Sequence, residues 1–538
     1  MRPVLDVARD LDLSETDVSP RGRYLAKLEH PALRRLTSAP PRGRLVLVSA
    51  ITPTKYGEGK TTTSIALGQG LRARGVRSLV ALREPSMGPI FGAKGGGTGG
   101  GKASLLPSAE INLHCTGDLH AVTSANNLLA ALTDNAAHFR TPTAPDPRRI
   151  TWRRVTDMNE RSLRHIVAGL GGLATETGFD ITAASEIMAT LCLATGMGDL
   201  KARLTRLIVG YDASDRPVTA GDLGATGPLA AILADALLPN LVQTTDGTPA
   251  FVHGGPFANI AHGCSSVVSS RAALALADVV VTEAGFAFDL GGEKFFDIVC
   301  RTSGLWPSAV VLVVTVRALR AHGGDAELTA DTAGALGAIE RGLANLDRHV
   351  AAVRTFGFAP VIAINVFDRD TEPELRAVEA GCAARGLTAA RHTGFADGHA
   401  EALADAVMSS FAVVPPTFSY ADEASYADKL RAVATRVYGA SGVAIAPAAA
   451  KEFERARALG LGQLPVCVAK THLSLSDDPG LGATPPPFTL QVREARLRAG
   501  AGFMLALTGE IMTMPALPKS PSALAIDVTE DGVITGVR

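Results

Sequence analysis

Lysine and threonine close the segment Thr54-Lys55-Tyr56-Gly57-Glu58-Gly59-Lys60-Thr61. They do so as in the phosphate-binding pattern G-x-x-x-x-G-K-[ST], with threonine in place of the first glycine. Gly57 and Gly59 let backbone N–H groups converge on phosphate oxygens, Lys60 reaches the β and γ phosphates, and the Thr61 hydroxyl can ligate Mg carried by the nucleotide. The candidate set for ATP phosphates is Thr54, Gly57, Glu58, Gly59, Lys60, Thr61 and Thr62. The alternative is a glycine-rich loop that caps a helix and holds nothing. Further along stands Arg83-Glu84. At the end of a neighbouring strand, a guanidinium there can stabilise charge on a transferring phosphoryl group, so Lys60 and Arg83 are the candidate catalytic pair. Out of that context the Arg-Glu pair reads as a surface salt bridge. Residues 94–102 are glycine-biased and suit a lid, an anion-binding set of amides or a flexible linker. His114, Asp118 and His120 have a metal-like spacing that nothing nearby completes, which favours structural roles.

These side chains need a scaffold, and the surrounding pattern supplies one. Residues 44–51 (RLVLVSAI) form an apolar run, 60–74 have helical character, and 76–82 are apolar again. A strand, loop, helix and strand in that order require a parallel sheet with right-handed crossovers. Further runs at 278–282, 309–316 and 360–365 are continuously apolar, as strands covered on both faces must be, and 328–346 reads as a helix. The fold class is α/β: a P-loop-type, doubly wound, mostly parallel sheet in a large nucleotide-binding domain, residues 1–348. A smaller α/β unit follows at 349–440, with helices at 372–385 and 400–408 and a strand at 387–391. A C-terminal α/β unit at 441–538 holds a strand at 465–469 and a hairpin turning at Asp531-Gly532.

At 538 residues the chain exceeds what one hydrophobic core organises. Its 46% hydrophobic and 20% charged residues are those of a globular protein, and a net charge of −1 offers no global field for nucleic acid or membrane. The six cysteines lie far apart without a C-x-x-C pair, which predicts reduced thiols. A start without a signal-like apolar stretch predicts a cytoplasmic enzyme.

Taken together, the blocks TPTKYGEGKTTTSIALGQGL (52–71), REPSMGPIFGAKGG (83–96), HGGPFANIAHGCSS (253–266), TEAGFAFDLGGEKFFDIVCR (282–301) and LPVCVAKTHLSLSDDP (464–479) resemble the formate-tetrahydrofolate ligase (formyltetrahydrofolate synthetase) family along nearly the whole chain. That family enters its phosphate loop through Thr-Pro-Thr, as this chain does. The resemblance implies that formate attacks the γ-phosphate of MgATP to give formyl phosphate, which then formylates the amine of tetrahydrofolate. By the same likeness Lys60 binds phosphate, Arg83 holds formyl phosphate, and Glu84 lies near a monovalent cation, potassium or ammonium. It also implies a homotetramer and two aromatic rings around the pterin, here Phe367 and Phe395, with phenylalanine at 395 where the family has tryptophan. Core packing is the alternative for both rings. Lys102-Ala-Ser-Leu-Leu-Pro and Phe288 are further departures. The competing readings are another P-loop carboxylate-activating ligase, a partitioning ATPase, or a non-catalytic paralogue.

Overall fold

Alternate residues of Arg44–Ala50 enter two separate hydrophobic cores, Leu45 and Leu47 on one face and Val46 and Val48 on the other. A strand that feeds two cores must lie inside a sheet covered on both sides. The computed structural model describes residues 1–538 apart from Tyr56, Gly95, Leu173, Glu510 and Arg538. In chain order the main sheet contains β1 (Val18–Pro20), β2 (Ala26–Leu28), β3 (Arg44–Ala50), β4 (Ser78–Leu82), β5 (Asn240–Thr244), β6 (Pro249–Val252), β7 (Val279–Glu283), β8 (Ala309–Val314), β9 (Val361–Asn365) and β10 (Ala389–His392). Two short strands, Gly99–Gly100 and Ala103–Leu106, join from the side to make twelve.

The order across the sheet is β1-β2-β5-β6-β4-β7-β3-β8-β9-β10. Every neighbouring pair from β6 to β10 is parallel, while the pairs from β1 to β6 are antiparallel, so the sheet is mixed. The apolar runs expected as strands all appear in it. The run expected at 387–391 is β10, paired with β9, so residues 361–392 extend the same sheet as β3.

Helix α1 (Lys60–Ala73) packs against one face. A Cβ on Gly68 would stand 2.4 Å from Val80, and one on Gly70 would stand 2.8 Å from the Ala400 backbone, so only glycine lets the helix lie this close to both neighbours. Helix α2 (Thr332–Thr355) covers the other face through Leu343, Leu346 and Val350. It starts later than its apolar pattern predicts. Leu328 has φ +58°, and the Asp331 carboxylate caps the first turn by accepting from Gly334 N at 2.8 Å. Beyond residue 440 a second sheet contains β11 (Gly442–Ile445), β12 (Val466–Ala469), β13 (Thr489–Arg498) and β14 (Phe503–Thr508) in the order β11-β13-β14-β12. The expected terminal hairpin pairs Asp527–Val528 with Ile534–Thr535. All six cysteines are unpaired, and among the described residues no helix is long and apolar enough to cross a membrane.

Candidate active site

Parallel strands point their carboxyl ends to one edge, the usual ligand-binding edge of an open α/β sheet. At this edge β3 leads to the loop at 51–59, β4 to Arg83 and Glu84, β7 ends on Glu283, β8 leads to Thr315 and Arg317, β9 to Phe367 and β10 to Phe395. The loop itself depends on two left-handed glycines, Gly57 at φ +71° and Gly59 at φ +72°. A Cβ on Gly59 would meet Asn365 Nδ2 at 2.4 Å, the same atom that donates to the Glu58 carbonyl at 3.2 Å.

Glu58 turns inward. One carboxylate oxygen accepts from Thr54 N and Thr54 Oγ1, both at 2.8 Å, and the other from Thr315 Oγ1 at 2.6 Å. A carboxylate among phosphates would repel them, so its place is beneath the loop as a brace between β3 and β8, with phosphates left to the outer side. Thr54 is held by the same brace. Thr62 faces the glycine stretch, and Thr63 Oγ1 pairs with His392 Nε2 at 3.1 Å at the end of β10.

Glu283 organises the outer side. Its two oxygens meet Thr61 Oγ1 at 2.9 Å and Arg83 Nη2 at 3.7 Å. Arg83 also donates to the Pro256 carbonyl at 3.3 Å, and its buried Nε meets no acceptor among the described residues. Burial pushes the Lys60 ammonium down to about 8; Glu283 opposes that shift and Arg83 adds to it. Lys94 is lowered by burial and then by Arg83, again against Glu283. Three cations thus share one facing carboxylate, an excess that suits a polyphosphate. The Thr61 hydroxyl spends its hydrogen on Glu283, so its lone pairs remain for a divalent cation. Among the described residues no group of three or more His, Cys, Asp or Glu could hold a metal.

Glu84 lies in a separate buried pocket. Burial and then Asp118 push its carboxyl well above the usual range, with Lys27 opposing. Asp118 itself is paired with Lys27 at 2.8 Å and with Asn240 Nδ2 at 2.9 Å, whereas Glu84 Oε2 meets no donor among the described residues. An orphaned, desolvated carboxylate oxygen fits a small monovalent cation. His114 and His120 stack on each other with nitrogens 2.9 Å apart while Asp118 faces Lys27, so that trio does not converge.

The two candidate pterin rings follow adjacent strands, and neither is core. Phe395 is 57% exposed on the short helix Gly394–Asp397. Its carbonyl accepts from Lys102 N at 2.9 Å, and its ring backs onto Gly100, where a Cβ would stand 2.9 Å from Cε2. The described part of the glycine stretch is therefore a paired strand and a floor for this ring. Phe367 is partly exposed beneath the Arg317 guanidinium, 3.5 Å from the ring centre, and Arg317 donates to the Gly57 carbonyl at 3.1 Å. Sequence reasoning passed over Glu283, Lys94, Arg317 and His472. His472 stacks on Phe286 with ring centres 4.4 Å apart, and Phe286 holds φ +58°, a strained conformation of the kind found at binding sites. The motif blocks around Glu283, Lys94 and His472 were the available signal, but the blocks do not say which side chains turn inward, and Arg317 lies outside every block.

The family model described as formate–tetrahydrofolate ligase matches residues 1–538. A protein of that name from Myxococcus xanthus is 54% identical, over 100% of this chain and 99% of its own. Similar proteins of the same name come from Acidiphilium cryptum, 52% identical over 100% and 98%, and Paracoccus denitrificans, 52% identical over 99% and 97%.

Proposed function

The chain belongs to the formate–tetrahydrofolate ligase family, and from that premise we propose how the carboxyl edge divides the work of its reaction. The enzyme ligates formate to tetrahydrofolate in an ATP-dependent reaction of one-carbon metabolism. The fold is read as P-loop-type and doubly wound, with nucleotide binding in 1–348, folate binding assisted by 349–440, and a C-terminal unit, 441–538, that supplies His472. The single observation behind the site assignment is the cluster of Lys60, Arg83 and Lys94 over Glu283 at the head of α1.

In this reading the loop amides and Lys60 hold the β and γ phosphates, and Thr61 offers its oxygen to Mg, which when bound draws charge from the phosphate oxygens. A formate oxygen attacks the γ phosphorus, the bond to the β-phosphate oxygen breaks, and ADP leaves. Arg83 steadies the transferring group and then formyl phosphate. The amine of tetrahydrofolate attacks the formyl carbon, the C–O bond to phosphate breaks, and the amine loses its proton. Phe367 and Phe395 hold the pterin. A monovalent cation, potassium or ammonium, sits at Glu84. The homotetramer rests on the family likeness alone.

An assay for formyl-tetrahydrofolate with ATP, formate and Mg tests the reaction. Oxygen-18 passing from labelled formate into phosphate tests the intermediate. ATP hydrolysis indifferent to formate and tetrahydrofolate would instead make the chain a partitioning ATPase, and tight pterin binding without product a non-catalytic paralogue.

Three outcomes are expected. First, the ammonium is the form that binds phosphate, so nucleotide affinity should be level below pH 8 and fall by about tenfold per pH unit above it; titration of a fluorescent ATP analogue reads this, and Lys60→Arg should remove the inflection. Second, a carboxyl raised in the folded state makes that state bind more protons than the unfolded chain, so Glu84 lowers stability as pH rises between its ordinary and raised values. Potassium, compared with tetramethylammonium at equal ionic strength, should then raise the melting temperature by roughly 2 °C or more, and Glu84→Gln should abolish the gain. Third, Phe395→Trp should lower the KM for tetrahydrofolate roughly two- to threefold through a larger stacked face; an unchanged KM would remove Phe395 from the wall.

A further inference from the structure

A second concavity, of about 700 Å³, opens between the strand Arg154–Thr156, the hairpin of Ile166–Ala168 with Thr175–Thr177, β13 and the helix Pro447–Ala458. None of its lining residues belongs to the phosphate cleft. Guanidinium groups from separate segments line it: Arg496 and Arg498 two residues apart on β13, hence on one face of that strand, and Arg153 and Arg164 from the segments flanking the strand Arg154–Thr156.

The carboxylates here are largely spoken for. Asp180 pairs with Arg153 at 3.1 Å and accepts from Thr513 at 2.6 Å, Glu186 accepts from Gly500 N at 2.9 Å, and Glu452 pairs with Arg455 at 2.8 Å. Arg164, Arg496 and Arg498 are less committed. Among the described residues Arg164 spends only Nε, on the Met514 carbonyl; Arg496 reaches Glu494 only at 3.4 Å; Arg498 reaches Glu186 only at 3.5 Å; and Arg153, already given to Asp180 and to the Arg164 carbonyl at 2.6 Å, keeps only Nε without an acceptor. Burial and then Arg498 push the Arg496 guanidinium below its ordinary value, with Asp180 and Glu494 opposing only in part. A guanidinium carries five N–H donors in a fork shaped for carboxylate or phosphate. Several forks from separate segments call for more than one anionic group on the occupant. A volume of this size holds a whole small molecule, and the Trp152 and Tyr211 rings supply apolar lining.

We propose that this cleft is a second ligand site, separate from the catalytic one, for a small molecule with at least two oxyanion groups, carboxylate or phosphate. It does not depend on the roles assigned to Lys60 or Arg83. The test is calorimetric titration of the full chain and of Lys60→Ala, which silences the phosphate loop, with citrate and with inorganic pyrophosphate. Saturable binding of either probe is expected in both proteins, unaffected by ATP in Lys60→Ala, and the tighter probe identifies the chemistry. Affinity should fall at least tenfold in Arg496→Ala/Arg498→Ala. If that variant does not fold, Arg164→Ala and the salt dependence of wild-type binding serve instead, with weaker binding expected in each case. No saturable binding to Lys60→Ala, or equal binding by folded arginine variants, overturns the proposal. So does a cleft closed to both probes by a second copy of the chain.

Discussion

Arg83→Ala is expected to lower kcat for formyl-tetrahydrofolate formation about a thousandfold or more, with a far smaller change in the KM for ATP. The guanidinium stands 3.7 Å from Glu283 and holds one backbone carbonyl at 3.3 Å, so most of its donors await a ligand. Charge that develops as the phosphoryl group moves is what they would meet, and for that reason the loss should fall on kcat. Arg83→Lys keeps the charge but not the planar fork, and should recover only part of the rate. Lys60→Ala should be comparably inactive but should also lose nucleotide affinity, because in the proposed reading its ammonium would meet the phosphates in the ground state too. Neither side chain is a main support of the core, so circular dichroism and melting should stay near wild type. Turnover within about tenfold of wild type for Arg83→Ala would sink its assignment.

The fold was legible where local pattern determined it. Runs such as RLVLVSA and AVVLVV are apolar throughout because both sheet faces are covered, and they became β3 and β8. The places of Lys60 and Arg83 at the carboxyl edge were legible for a similar reason: Arg83 directly follows β4, and Lys60 opens the helix that the loop after β3 leads into. Glu283 was not, since its contact with Thr61 joins residues 222 positions apart and exists only because β7 lies beside β3. Glu58 sits in the phosphate motif, yet one of its carboxylate oxygens is taken by Thr315, 257 positions away just past the end of β8. The exposure of Phe395 was equally hidden. It depends on a four-residue helix after β10 and on two glycines some three hundred residues earlier that leave room for the ring. Sequence spacing named the elements; the order of strands decided which side chains meet.

That order makes Glu283 the most informative position after Arg83. Glu283→Gln keeps an oxygen for the Thr61 hydroxyl but removes the carboxylate that Lys60, Arg83 and Lys94 share, leaving Lys60 only the smaller influence of Glu58. Glu283 is the largest influence holding the Lys60 ammonium up against burial. Without it Lys60 should deprotonate more readily, and the fall in nucleotide affinity should begin well below pH 8. The Thr61 hydroxyl would no longer be oriented by an anion, so Mg should strengthen nucleotide binding less than in wild type, a readout independent of turnover. Turnover itself should fall about a hundredfold, the usual scale for a misaligned electrostatic group. Glu283→Asp, with a shorter reach, should keep the charge, lose the Thr61 contact, and retain a near-wild-type pH inflection with a weakened Mg effect. The two variants therefore separate the two duties of one carboxylate. If both match wild type in pH profile and Mg dependence, Glu283 only fills space between β7 and α1, and the excess of positive charge at this edge must be balanced by some other group.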